Sequence, residues 1–290
     1  MPESIALTGV TGELGSRVAR HLRSGDLPLR LIARRPDQIP DDLVGDVATA
    51  AYQDPTAMRQ ALAGVDTLFL VSAREAEDRL EHHRLAVEAA AEAGVERVVY
   101  TSFLNASPDS TFTLGRQHFH TEEFIRASGM RYVFLRNSLY ADFLPFFTGD
   151  DGVIRAPAGD GRTSFVTRDD IAEVAAAVLL DDSFDGAALA VTGPEAISLA
   201  EAAERMSAVI GRRITYVPET EEEAYESRSI YGAPDWEVEG WVTSYLAIAN
   251  GEMEEVSDTV ERITGHPPRT IEEQLRSYPE SYRHLLGEQG

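Results

Sequence analysis

Three glycines near the N-terminus have the spacing of a phosphate-binding turn. Gly9, Gly12 and Gly15 follow the apolar run Ile5 to Leu7 and precede the helical pattern Ser16 to Leu22. In such a turn, glycines let a pyrophosphate approach bare backbone N–H groups at the positive end of a helix. The pattern therefore predicts a dinucleotide site between a strand and a helix. The alternative is a glycine-rich loop that binds nothing.

The end of the second apolar run indicates which dinucleotide is bound. An acidic residue at this place accepts hydrogen bonds from the adenine ribose, whereas an arginine suits the 2′-phosphate of NADP. Leu27 to Ala33 is followed by Arg34 and Arg35. The sequence therefore favours NADP(H), unless the two arginines are only a solvated pair at a strand end.

Apolar runs alternate with amphipathic helical patterns along most of the chain. This alternation predicts an α/β fold with a Rossmann-type, doubly wound parallel sheet and a ligand cleft at the carboxyl ends of its strands. The predicted strands are residues 5–7, 27–33, 46–50, 67–72, 97–102, 132–136 and 187–192. The predicted domains are an NADP(H)-binding domain of residues 1–137 plus 164–193, and a smaller, mainly helical substrate lobe of residues 138–163 plus 194–290.

Two predicted strands end in segments of different chemistry. Ser72 closes the fourth strand at a place where a cofactor would pass. Residues 138–147, after the sixth strand, are aromatic, contain a proline and carry little charge. A segment of this kind could line an apolar pocket, with Phe143 and Phe146 forming its wall, or it could simply pack in the interior.

The composition excludes several chemistries. All 26 basic residues are arginines and there is no cysteine, so lysine Schiff bases, thiolate catalysis and cysteine-bound metals are ruled out. The net charge of −23 disfavours nucleic-acid binding.

His82 and His83 are adjacent in a helix predicted over residues 75–93, where neighbours point about 100° apart. They cannot share a metal, no metal site is predicted, and we expect both on the solvated face.

The chain has no apolar run of eighteen residues and no basic-then-apolar leader. We therefore expect a cytoplasmic protein that does not bind membranes. A homo-oligomer is compatible with the sequence, which does not specify the oligomeric state.

The assembled motifs resemble a known family. The Thr-Gly-x-Thr-Gly-x-Leu-Gly turn from Thr8 to Gly15, the arginine after the second strand, the run Tyr100 to Ser102, and Leu135 to Asn137 with Tyr140 are similar to those of NmrA-like atypical short-chain dehydrogenases. Within this family, residues 118–129 are most similar to the type-2 NAD(P)H:quinone oxidoreductases. Residues 264–269 resemble the C-terminal tail of the family.

The resemblance implies a set of cofactor contacts. The turn residues would bind the pyrophosphate, the two arginines the 2′-phosphate, and two serines with one histidine the ribose and nicotinamide. The cofactor-binding candidates are Gly9, Thr11, Gly12, Leu14, Gly15, Arg34, Arg35, Ser72, Ser102 and His118.

The chain departs from its resemblance in the catalytic groups. Short-chain dehydrogenases commonly use a Tyr-x-x-x-Lys pair, and this chain has no lysine. The lysine of related plant ether reductases corresponds to His118, which could contact the nicotinamide ribose, donate a proton near neutral pH, or merely pack. His118 and Tyr140 are the catalytic candidates, and Tyr140, Phe143 and Phe146 are the substrate-binding candidates.

The resulting hypothesis is hydride transfer from NADPH to a small quinone-like or conjugated carbonyl acceptor. Because the reduced quinone is a delocalised anion, positioning matters more than a strong acid. Two alternatives stay open. One is a reductase of another small aromatic or biosynthetic substrate, and the other is a non-catalytic NADP(H) sensor that docks on a protein partner.

Overall fold

The computed structural model describes residues 2–23 and 27–287. These ranges contain eleven strands: β1 (Ile5–Leu7), β2 (Leu29–Ala33), β3 (Asp46–Thr49), β4 (Thr67–Leu70), β5 (Arg97–Phe103), β6 (Arg131–Asn137), β7 (Val153–Ala156), β8 (Arg162–Thr163), β9 (Ala188–Val191), β10 (Ile197–Ser198) and β11 (Thr215–Pro218). They also contain ten α-helices: α1 (Glu13–Leu22), α2 (Pro55–Leu62), α3 (Arg79–Glu92), α4 (Thr113–Ala127), α5 (Arg168–Leu180), α6 (Leu199–Ile210), α7 (Glu221–Arg228), α8 (Asp235–Ala249), α9 (Thr259–Thr264) and α10 (Ile271–Ser277).

Seven strands form the predicted parallel sheet, in the order β3-β2-β1-β4-β5-β6-β9. The strand order reverses between β1 and β4, which pair in parallel with Ala6 opposite Leu68. Every residue of these two strands is buried, as expected for a sheet that is covered on both faces. The Rossmann-type fold is confirmed. Sheets of this kind bind ligands at the carboxyl ends of the strands beside the point of reversal, which here lies between β1 and β4.

The chain divides into two compact units. Unit 1 comprises residues 1–103, 117–136 and 171–189, and unit 2 comprises residues 104–116, 137–170 and 190–290. Unit 2 contains two small sheets, β7 parallel to β11 and β8 antiparallel to β10, together with helices α6 to α10. The division of labour into a cofactor domain and a substrate lobe, with the boundaries given above, stays a prediction.

Two helices begin at residue types that are typical helix caps. The side chain of Asp54 accepts a hydrogen bond from the N–H of Ala57 at the start of α2. Ser198 forms a capping box with Glu201 at the start of α6, which ends at Gly211 in the left-handed region. One boundary differs: α3 begins at Arg79, four residues later than predicted. No helix in the described ranges has the length and apolarity needed to cross a bilayer.

Candidate cofactor site

The glycine turn joins β1 to α1 in the geometry of an anion cradle. Gly9 has a φ of +67°, which L side chains rarely adopt, and its carbonyl accepts the N–H of Gly12 at 2.9 Å. A Cβ on Gly15 would overlap the carbonyl of Gly9. Gly12 is the N-cap of α1, so no capping side chain covers the first N–H groups of this ten-residue helix. The turn therefore fits a pyrophosphate.

A cavity of about 340 Å³ in unit 1 opens beside this turn. Four of the predicted cofactor residues line it: Gly9, Thr11, Arg34 and Ser72. Arg34 directly follows β2, and like Arg35 it is exposed. The cavity is within the size range of small-molecule sites, and Arg34 gives one wall a cationic group that suits a phosphate.

The segment that follows β4 forms another part of the cavity lining. Its backbone is bonded by side chains rather than by a neighbouring strand. The N–H of Val71 donates to Thr8 Oγ1 at 2.9 Å, and the hydroxyl of Tyr52 donates to the Val71 carbonyl at 2.6 Å. The N–H of Ser72 donates to Thr101 Oγ1 at 2.7 Å. The sequence pattern predicts Ser72 but not these three partners, because they are 19 to 63 residues away along the chain.

His118 lies on α4 in the interior of unit 1, with 6% of its surface exposed. Its Nε2 is 3.0 Å from a guanidinium nitrogen of Arg79, which can only donate. The ring proton must therefore be on Nδ1, which donates to the hydroxyl of Tyr100 at 2.9 Å. Burial, reinforced by the charge of Arg79, holds the pKa of His118 well below its usual value. The catalytic role of His118 stays a prediction. In this hydrogen-bonded geometry the His118 ring is neutral.

The expectation that both adjacent histidines of α3 are solvated is wrong for His83. His83 is fully buried: its Nε2 accepts the N–H of Ala73 at 2.7 Å, and its Nδ1 is 2.8 Å from Thr121 Oγ1. The charged sequence around it conceals this role, because its partners are far along the chain. His82 lines the cavity and pairs with Asp78 at 3.1 Å.

Ser102 at the end of β5 is buried, and its hydroxyl donates to Glu122 at 2.6 Å. Glu122 is fully buried and also accepts two hydrogen bonds from Arg136, at 2.9 and 2.7 Å. The hydroxyl of Ser102 is therefore part of an internal ion-pair network. A role of Ser102 beside the nicotinamide stays a prediction.

The substrate candidates belong to unit 2, where residues 141–147 form a 3-10 helix. The rings of Tyr140 and Phe143 are almost parallel, with centres 5.7 Å apart. The guanidinium of Arg168 lies 4.5 Å from the ring centre of Phe143 and 5.2 Å from that of Tyr140. Phe146 is 66% exposed and stacks on His284 instead. Phe146 thus differs in its packing partner from the other two candidates.

A parallel sheet that reverses beside a glycine turn defines a Rossmann-type dinucleotide-binding protein. The chain belongs to the family of NAD(P)H-binding proteins whose sequence pattern matches residues 9–182. The predicted resemblance to NmrA-like dehydrogenases, and to type-2 quinone oxidoreductases among them, is confirmed.

Three characterised proteins show how far this similarity extends. The NAD(P)H azoreductase of Xenophilus azovorans is 30% identical over 96% of this chain and 99% of its own length. The NADPH-dependent quinone oxidoreductase QOR2 of Escherichia coli, in a crystal structure with NADPH, is 31% identical with a TM-score of 0.86, over 94% of this chain and 99% of that one. The triphenylmethane reductase of Citrobacter sp., complexed with NADP(H), is 29% identical with a TM-score of 0.83 over the same shares.

Proposed function

We propose that this NAD(P)H-dependent oxidoreductase reduces a small quinone-like or conjugated carbonyl acceptor, with NADPH as the preferred donor. The observation that carries the proposal is the glycine cradle at the start of α1 beside a cavity lined by Arg34. The relatives support the reaction class, because the reductions they are named for, of azo, quinone and triphenylmethane compounds, all involve conjugated acceptors.

The cofactor contacts that we propose follow the cavity. The turn from Gly9 to Gly15, including Thr11 and Leu14, binds the pyrophosphate. Arg34 binds the 2′-phosphate, with Arg35 in a lesser role because Arg34 lines the cavity. Ser72 lies beside the cofactor ribose, and NADPH supplies the hydride.

The proton requirement of the reaction fits the groups present. Hydride addition to a quinone gives a delocalised anion that solvent can protonate, so no strong protein acid is required. His118 is neutral in this arrangement, because Arg79 donates to its Nε2. We propose that His118 acts as a neutral, hydrogen-bonded ring beside the cofactor. Tyr140 is proposed as the polar contact of the acceptor.

The test is NADPH oxidation, followed at 340 nm, against quinones, azo dyes and triphenylmethane dyes, with NADH run in parallel. We expect turnover with at least one quinone and a preference for NADPH over NADH. Turnover of dyes but no quinone would favour the alternative of another reductase. Tight NADPH binding with no acceptor reduced would contradict the proposal and favour the non-catalytic sensor.

A further inference from the structure

Residues 71–76 line the cavity after the chain has left the sheet at Leu70. Backbone groups there no longer have strand neighbours, and buried N–H and C=O groups need other partners. Thr8, Tyr52 and Thr101 provide these for Val71 and Ser72, as described above. The next residue, Ala73, is bonded on both sides of its backbone by one helix.

Two side chains of α3 hold Ala73. The N–H of Ala73 donates to His83 Nε2 at 2.7 Å, and its carbonyl accepts Nε of Arg79 at 2.8 Å. Arg79 and His83 are four residues apart, so they lie on the same face of the helix. Both are almost completely buried, with 3% and 0% of their surfaces exposed. The two side chains therefore fix the pocket-lining segment at Ala73 by hydrogen bonds from the interior of unit 1.

The far ends of both side chains are bonded to α4. A second guanidinium nitrogen of Arg79 donates to Gln117 Oε1 at 3.0 Å. Since the N–H of Ala73 occupies Nε2 of His83, the proton of that ring is on Nδ1, and it donates to Thr121 Oγ1 at 2.8 Å. Gln117 and Thr121 are also four residues apart on one helix face. Ala73 is thus connected to α4 through two parallel hydrogen-bonded links.

We propose that Arg79 and His83 are positioning residues for the nicotinamide cofactor. They fix Ala73, and with it the segment 71–76, in the binding conformation before the cofactor arrives. A lining that is already ordered spares the complex the entropy of ordering it, and so increases affinity. The proposal rests on the proposed function, because it takes the cavity as the NADPH site.

The chemistry of position 83 allows a substitution pair that separates hydrogen bonding from ring packing. His83→Phe keeps a ring but leaves the partly buried N–H of Ala73 without its acceptor. His83→Gln offers an amide oxygen near the place of Nε2. Arg79→Met removes the donor to the Ala73 carbonyl together with the donors to Gln117 and His118, so His83→Phe is the more specific of the two variants.

Two residues on the same helices that do not contact Ala73 give matched controls. They are Arg84→Met, at a partly exposed position on α3, and His120→Ala, at an exposed position on α4.

The experiment is titration of each variant with NADPH, monitored by quenching of tryptophan fluorescence. We expect the Kd for NADPH to rise roughly tenfold in His83→Phe and in Arg79→Met, as for loss of a hydrogen bond whose side-chain partner is buried. His83→Gln should restore most of the affinity, and both controls should bind as the wild type does. At saturating NADPH, His83→Phe should keep its kcat and its KM for the acceptor within about twofold.

Near-UV circular dichroism identifies the folded variants. Folded His83→Phe and Arg79→Met that bind NADPH as tightly as the wild type would overturn the proposal. Equal weakening in His83→Phe and His83→Gln would also overturn it, since the acceptor would then be irrelevant. If His83→Phe does not fold, Arg79→Met and His83→Gln decide the question. A wild-type protein that does not bind NADPH would end both this proposal and the proposed function, whereas normal wild-type binding with unaffected variants would end this proposal alone.

Discussion

Two segments that follow strands of the same sheet are built by opposite means. Residues 71–76, after β4, are small or polar, and side chains from other elements fix the first three of them by directional hydrogen bonds of 2.6 to 2.9 Å. Residues 138–147, after β6, carry aromatic rings that stack with centres 5.7 to 6.4 Å apart. The first segment is defined by bond geometry and the second by ring contact.

Under the proposed function, this difference would let one protein combine a specific hydride donor with a broad range of acceptors. Hydrogen bonds and excluded Cβ atoms demand one arrangement, which suits a cofactor of fixed structure. Aromatic faces contribute through area and stacking, which many flat molecules can share. A polar contact also holds the aromatic segment, residues 138–147, in place. The buried Asp142 accepts the N–H of Arg168 at 3.1 Å and pairs with its guanidinium at 3.3 Å. We therefore expect substitutions at the glycine turn and the cavity of unit 1 to change cofactor binding strongly. Substitutions in the aromatic segment should change acceptor preference only mildly.

The largest effect is expected at the glycine turn. Gly15→Ala places a Cβ against the backbone of Gly9, whereas Gly12→Ala places it 3.3 Å from the same carbonyl oxygen. We expect Gly15→Ala to lower the free energy of unfolding by about 3 kcal/mol and to abolish NADPH binding. Gly12→Ala should change stability by less than about 1 kcal/mol. Urea unfolding compares the two, and equal stability of both variants would show that the turn is not close-packed.

The next largest effect concerns the choice of dinucleotide. Arg34→Gln removes the cationic group of the cavity wall, and we expect kcat/KM for NADPH to fall roughly ten- to hundredfold while that for NADH stays constant. Arg35→Gln is the matched control and should fall by less than about threefold. Steady-state kinetics with both donors measures this. A larger loss in Arg35→Gln would reverse the assignment of the two arginines.

Acid should weaken the hydrogen-bonded region specifically. Burial lowers the pKa values of His83 and His118 in the folded protein, so the folded state favours the neutral rings. Their contribution to stability is complete above the unfolded pKa of about 6.5 and is lost as the pH falls below it, by at most about 1.4 kcal/mol per pH unit for each histidine. Urea unfolding between pH 7.5 and 5.5 tests this. His83→Gln should show a shallower pH dependence than the wild type or His120→Ala, and identical slopes in all three would contradict the account.

The smallest effect is expected in the aromatic wall. Phe143→Leu removes a ring that stacks on Tyr140 and receives Arg168, so we expect the KM for a quinone to rise severalfold while the Kd for NADPH does not change. Phe146→Leu, whose ring stacks on His284 instead, is the comparison. A change in NADPH affinity in Phe143→Leu would contradict the separation of the two regions.

The same contrast explains what the sequence could predict. The glycine turn, the seven strands and the caps at Asp54 and Ser198 are local patterns, and all of them are present in the structure. The roles of Arg79 and His83 could not be read in this way. Both lie in a charged run typical of a solvated helix face, and their burial depends on partners up to 39 residues away.

The aromatic segment shows a second limit of sequence reasoning. Tyr140, Phe143 and Phe146 are all aromatic, so the sequence predicts the same role for the three. In the structure, Tyr140 and Phe143 stack on each other, whereas Phe146 stacks on a histidine 138 positions further along the chain. Composition predicts that rings are available. It does not predict which of them share a surface, because that is decided by long-range packing.

The most direct test of the account is a single-turnover experiment without oxygen. The protein is mixed with one equivalent of NADPH and then with an excess of a small quinone, and absorbance at 340 nm is followed, in parallel with NADPH carrying deuterium at C4. The account predicts oxidation of one equivalent of NADPH per protein chain, with slower decay for the deuterated cofactor. Bound NADPH that persists at 340 nm with every quinone tested would contradict the central claim that this protein is a quinone-type reductase.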